Sequence, residues 1–227
     1  MPLSSKVFPV APVSADVIAK TLKDYDVEKE TKVDSRTLNL RTTVNELRVS
    51  NDEIRGELEY EIPLEVNYRG QTQYYPTTIS KRFFFDLGRF RRSLIILEKG
   101  QDMVAEKLCS IIFGNRTDIA EGRITADEIS SFIDQFSDVE LAISWKDVRI
   151  RGLNKVTLRG PEVMQAKTDY NRYNENGKKY YVMIRLRQQK WVISISEDGT
   201  VVLYSTTAAD VEDFLKFIKS KILPLVK

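Results

Sequence analysis

Apolar positions in this chain recur with two different spacings, and the change from one to the other marks out its elements. After Ser14, the residues Ile18, Leu22 and Tyr25 fall three to four apart, predicting a capped amphipathic helix over 14–25. The same pattern returns at 125–136, where Thr125 and Glu128 are spaced as a capping box and Ile129, Phe132, Ile133 and Phe136 form one stripe. Between these helices the spacing drops to two. In "GELEYEIPLEV", Leu58, Tyr60, Ile62, Leu64 and Val66 alternate with Glu57, Glu59, Glu61 and Glu65, the pattern of a half-buried antiparallel strand. "YYVMIRLRQQ" alternates likewise, and "KWVISISEDGTVVLY" reads as a hairpin turning at Asp198 and Gly199.

These elements come in two sets. Ile18, Leu22 and Tyr25 superpose without gaps on Ile129, Ile133 and Phe136 at an offset of 111. At an offset of 107, Leu94–Leu97 falls on Val201–Tyr204, and Val104, Leu108 and Ile111 fall on Val211, Leu215 and Ile218. Each of these segments reads as strand, short turn and helix, the first helix stopping at Gly114 and the second, which begins near Ala208, stopping before Pro224. Gly70 and Gly177 share that offset, each followed by a tyrosine, Tyr74 or Tyr181, and each is expected at a hairpin turn. Three landmarks in one order point to an internal duplication. The expected architecture is α+β: two related halves, residues 1–114 and 125–227, each an antiparallel β-sheet covered on one face by helices. The polar stretch 115–124 is the expected linker.

The tail from Tyr180 to Ile222 has three antiparallel strands, "YYVMIRLR", "KWVISISEDG" and "TVVLYS", and then a long helix. It resembles the second part of a repeat of the TATA-binding protein, a likeness the first half shares only through "SLIILEKGQDMVAEKLCSIIFG". That resemblance implies a two-repeat curved sheet with helices on its convex side, and DNA held in the minor groove against the concave side. In the family, phenylalanine wedges kink the DNA. Where one such wedge belongs, this chain has Ser196, and no motif singles out one of Phe83, Phe84 and Phe85 as another. The family's DNA-contacting residues therefore do not carry over.

Composition narrows the chemistry. The 227 residues are 42% hydrophobic and 30% charged with a net charge of +2, as a globular protein would be. No apolar run approaches the ~18 residues of a membrane span, so a cytoplasmic, membrane-free protein is expected. There is no histidine. That removes the commonest proton-transfer group and metal ligand, and with no phosphate-cradling glycine loop either, neither an enzyme nor a cofactor is expected. The lone Cys109, in "EKLCSIIFG", reads as a buried helix residue. Abundant Lys, Arg and Glu resembles the usage of heat-adapted proteins, so a thermophilic source is expected.

What remains is binding. Arg185 and Arg187 alternate onto the strand face of Tyr181, "YNRYNENGKKYY" adds Arg172, Lys178 and Lys179, and "FDLGRFRRS" adds Arg91 and Arg92 at a turn. Basic residues interleaved with aromatics neutralise phosphates and stack bases, so DNA or RNA is the first partner class. The glutamate row of Glu57–Glu65 opposes it by repelling phosphates. An acidic surface in one half and a basic one in the other suit a protein partner or a homodimer instead. A third class is a hydrophobic-ligand cup around Trp191, Phe214 and Phe217, against which stands their spacing as plain core.

Overall fold

A computed structural model describes residues 2–34, 36–50, 52–88, 92–98, 100–114, 120–204 and 211–227. It is an α+β structure in which the strand pairs within each unit are antiparallel. The chain divides into two compact units, residues 10–120 and residues 1–9 together with 121–227. The opening strand β1 (Leu3–Pro9) therefore groups with the second unit, although sequence places it in the first half. Residues 115–119 of the expected linker lie outside the described residues.

In the first unit the elements are α1 (Ala15–Leu22), β2 (Asp26–Val33), β3 (Arg36–Val49), β4 (Glu53–Tyr68), β5 (Gln71–Asp86), β6 (Ser93–Leu97) and α2 (Gln101–Phe113). The strands lie in sequence order, each paired with the next. Ser14 caps α1 by accepting a hydrogen bond from the Val17 N–H at 3.3 Å, and Gly114 ends α2 in the left-handed conformation. Ile18 and Leu22 of α1 and Val104 and Leu108 of α2 are fully buried, as are Ile54, Leu58 and Phe83 on the sheet. The helices are far shorter than the sixteen-residue strands β4 and β5, so burial fades along β4: Leu58 and Tyr60 are covered, Leu64 and Val66 are exposed. Pro63 and Pro76 sit opposite one another in that outer stretch, past the end of the pairing with β3 and β6. A two-stranded ribbon tolerates them because their outer edges owe no ladder hydrogen bond.

The second unit adds α3 (Ala126–Phe136), β7 (Ser137–Lys146), β8 (Val156–Arg159), α4 (Lys167–Asn176), β9 (Lys178–Leu186), β10 (Val192–Ser196), β11 (Thr200–Leu203) and α5 (Val211–Phe217). Its strand order is β1, β11, β10, β9, β7, β8. The Thr125–Glu128 capping box forms in full, with the Thr125 N–H donating to Glu128 at 2.7 Å. The expected hairpin turns at Asp198 and Gly199, where Gly199 has φ +75°. Residues 205–210, where the last helix is expected to begin, lie outside the described residues; beyond Phe217 it continues as a π turn and then a short 3₁₀ turn that includes Pro224.

The two landmark glycines part company. Gly70 (φ +76°) follows Arg69 (φ +51°) in the tight turn between β4 and β5, as expected. Gly177 turns no hairpin: it joins α4 to β9 in extended backbone at φ −141°, ψ 169°. There a Cβ would stand 3.0 Å from the Cβ of Trp145 and 3.2 Å from the carbonyl oxygen of Tyr173. This glycine is needed for a close approach, and the segment "YNRYNEN" before it is helical.

Candidate functional site

In the second unit, α3 and α5 pack on one face of the sheet through Phe132, which meets Phe217 edge-on, and Trp191 completes that cluster at 6.0 Å from Phe217. Phe214 is fully buried and Phe217 nearly so, which makes these aromatics core rather than the lining of a ligand cup. The opposite face, assigned from strand register, carries a continuous row: Arg159, Ala142, Met183, Ser194, Val202 and Ser4 sit side by side across six strands. Beside it runs a second row of Thr157, Ser144, Tyr181 and Ser196. The small side chains that floor the sheet in these rows are covered by their neighbours: Ala142, Ser144 and Ser194 are only 3–4% exposed.

Two tyrosines lie over that floor, both with hydroxyls that hydrogen-bond with Ser194. Tyr204 is 39% exposed, and its hydroxyl accepts a long hydrogen bond from Ser194 Oγ at 3.4 Å. Burial raises the Tyr181 phenol above its ordinary pKa, and its hydrogen bonds with Ser194 and Tyr204 add opposing smaller effects; it stays neutral at physiological pH. At one end of β9 the exposed Arg185 lies on this face, and Arg159 stands at the β8 edge. Neither arginine makes a salt bridge among the described residues. Asp138, whose carboxylate feels the charge of Arg185, is already paired with Lys190 at 2.9 Å and is held below its ordinary range chiefly by that hydrogen bond.

The residues expected to bind nucleic acid scatter. Tyr181 and Arg185 come together, whereas Arg187 donates its Nε to the Ser137 carbonyl at the strand end. A bulge in β9 overturns the expectation for Lys179. Ser144 pairs with Tyr181 but Trp145 pairs with Lys179, so Tyr180 is the extra residue and Lys179 swings to the helix face. It is 7% exposed there, donates to Ser130 Oγ at 3.0 Å and lies over the Tyr170 ring. Burial lowers its pKa, against the raising pull of Asp134, Glu140 and Asp127. Lys179 therefore lies on the helix side of the sheet and not on the open face. Lys178 stays outside, ion-paired with Asp147 at 3.5 Å beside Lys146, which is bound to Glu197. These groups line a cleft of about 430 Å³ in which Arg123, Lys146, Lys178 and Lys179 are matched by Glu121, Asp147, Glu197 and Asp198. Arg172 is exposed on α4, Arg92 belongs to the first unit, and Arg91 lies outside the described residues.

Sequence reasoning passed over Arg159, Tyr204 and the serine floor. The alternation in "VISIS" already puts Ser194 and Ser196 opposite the buried Ile193 and Ile195. Arg159 offered no comparable signal, because β8 is only four residues long.

The glutamate row does face away from the helices of the first unit, but it is extensively engaged. Glu57 accepts from Ser80, Glu59 from Asn45 at 2.8 Å, and Glu61 from the Arg41 N–H at 2.7 Å. Among the described residues no three metal-ligating side chains gather, and no helix is long and apolar enough to cross a membrane. No protein-family model matches the chain, and no curated protein is significantly similar to it.

Proposed function

We propose that the protein is a non-catalytic binding module that holds nucleic acid, alone or in a nucleoprotein complex, against the open sheet face of its second unit. One observation carries this reading: Arg159 and Arg185, which make no salt bridge among the described residues, flank a sheet face on which Tyr181 and Tyr204 lie across a floor of serine and alanine. Guanidinium groups neutralise phosphates, and neutral phenols stack on bases without repelling them. The likeness to the TATA-binding-protein repeat and the internal duplication belong to this proposal. In support, the first unit and the 121–227 part of the second each open and close with a helix, and in both the last three strands lie in sequence order. Against the duplication stand the loss of the Gly177 hairpin and the exchanged places of β7 and β8, relative to β2 and β3.

The test is fluorescence anisotropy with labelled single- and double-stranded DNA and RNA at two salt concentrations. The wild type is expected to bind at low salt. Replacing both Arg159 and Arg185 by Gln lowers the log–log salt slope by ~0.7–0.9 for each phosphate that is no longer neutralised. Lys179→Met leaves the slope unchanged. No binding of any of the four probes at low salt refutes the proposal.

A further inference from the structure

The first unit ends on an unusual edge. β2 pairs with β3 on one side, and no described strand lies along its other side. Edge strands are ordinarily blunted by shortness, charged side chains, proline or a bulge. The outer strand of the second unit is blunted by length, with four residues and then Gly160 and Pro161. β2 relies on charge alone: "DVEKETKV" is eight residues long, pairs with β3 without a break in register, contains neither glycine nor proline, and carries Asp26, Glu28, Lys29, Glu30 and Lys32.

Its charges are arranged in a way that fits itself. Antiparallel pairing of two copies about a two-fold axis through Glu30 places Glu28 opposite Lys32 of the second copy, twice, on the glutamate-bearing face. On the other face the same register sets Val27 opposite Val33 of the second copy, also twice. Moving the axis by one residue to Lys29 would oppose Glu28 to Glu30 twice and Lys29 to itself, against two Asp26–Lys32 pairs; moving it to Thr31 would pair Glu30 with Lys32 but set Lys29 against Val33. Within one strand Glu28 and Lys32 are ~13 Å apart, too far to pair, so their complementarity is spent only between strands. Arg41 lies across from Glu28 on β3, but its guanidinium is held by both oxygens of Asp26, at 2.8 and 2.5 Å.

The apolar side agrees. A groove of about 470 Å³ runs beside β2 on its helix face, where Val27, Leu40, Ile62, Met103 and Ile111 alternate with polar groups that include Lys29. Val27 is 44% exposed and Met103 48%. A second β2 brings Val33 against Val27 and extends that floor across the axis. We infer that β2 is a self-pairing edge through which two copies of this chain join in antiparallel register about Glu30, with Glu28 and Lys32 as the reciprocal ion pairs. This goes beyond the nucleic-acid reading and does not depend on it.

Sedimentation equilibrium of the full chain over a wide concentration range, at low salt, tests the inference. The wild type is expected to dimerise reversibly. Glu28→Lys and Lys32→Glu each weaken the dimer tenfold or more, because each sets like charges opposite one another twice, and the double variant restores it because the pairs are reformed in reverse. Glu30→Thr, which removes the one like-charge meeting on the axis, tightens it. Circular dichroism confirms that each variant is folded. A wild type that stays monomeric at the highest concentration, a double variant no better than the singles, or rescue by Glu30→Lys with Lys32→Glu instead overturns the inference.

Discussion

Replacing Gly70 and Gly177 separately by Ala and by Asn tests the two physical reasons for glycine that the structure assigns. At Gly70 nothing lies within 4 Å of a built Cβ, and the only demand is the left-handed backbone at φ +76°. Alanine there costs about 1 kcal/mol, the left-handed penalty of ~1–2 kcal/mol less a few tenths recovered from a stiffer unfolded chain. Asparagine tolerates that conformation and costs less than alanine. At Gly177 the backbone is extended and suits any residue, so the cost is steric. A Cβ meets Trp145 Cβ at 3.0 Å, Val148 Cγ2 at 3.2 Å and the Tyr173 oxygen at 3.2 Å, against an ordinary carbon separation of ~3.5–4.0 Å. Trp145 is fully buried between the rings of Tyr170 and Tyr173 and has nowhere to withdraw. Alanine there costs ~1–3 kcal/mol, which at this chain length lowers the melting midpoint by ~2–4 °C per kcal/mol, and the larger asparagine costs more. Thermal unfolding followed by circular dichroism therefore ranks Asn above Ala at position 70 and Ala above Asn at position 177. If asparagine is also the better tolerated at 177, that glycine sits in a turn, and the reasoning from its close approach to Trp145 fails.

Three further outcomes follow from buried and capping groups. Burial pushes the Glu128 carboxyl up, but Lys227 at 2.8 Å and the Thr125 cap outweigh it and hold the group below its ordinary 4.5. Its contribution is therefore complete above that value and fades as pH falls through the folded pKa. Glu128→Gln is about 0.5–1 kcal/mol less stable than the wild type in urea at pH 7, and the difference closes in acid; a gap that persists in acid refutes the assignment. For Lys179 the depressed pKa means that the cost of burying the charge is present in full at neutral pH and is relieved as pH rises toward 10.5. Lys179→Met therefore shows its most favourable stability relative to the wild type near pH 7, declining by pH 10, and a flat difference would contradict an internal charged lysine. Cys109 is fully buried on α2, so native protein leaves Ellman's reagent unreacted until it is unfolded.

Much of the local structure was legible because it depends on neighbours in the chain. Ser14, Thr125 with Glu128, Gly114 and the Asp198–Gly199 pair act within a few residues, and each does in the structure what its spacing implies. The alternation in β4 and β9 likewise separates the faces correctly over most of their length. The candidate site was less legible. Tyr181 and Arg185 could be placed together because β9 itself holds no extra residue between them, while Lys179, only two residues from Tyr181, could not be.

Sequence by itself determined the α+β class, the helix ends and the hairpins at Gly70 and Gly199, since caps, left-handed turns and side-chain periodicity are settled by contacts of short range. Tertiary structure decided the rest. The bulge that turns Lys179 inward arises from pairing with β7, more than thirty residues earlier in the chain. The crowding that demands glycine at 177 comes from Trp145 on that same strand, and the row joining Arg159 to Ser4 exists only once six strands have chosen their neighbours. A strand carries its alternation in its own residues, but register belongs to the pair, and no single segment encodes the partner against which it will be read.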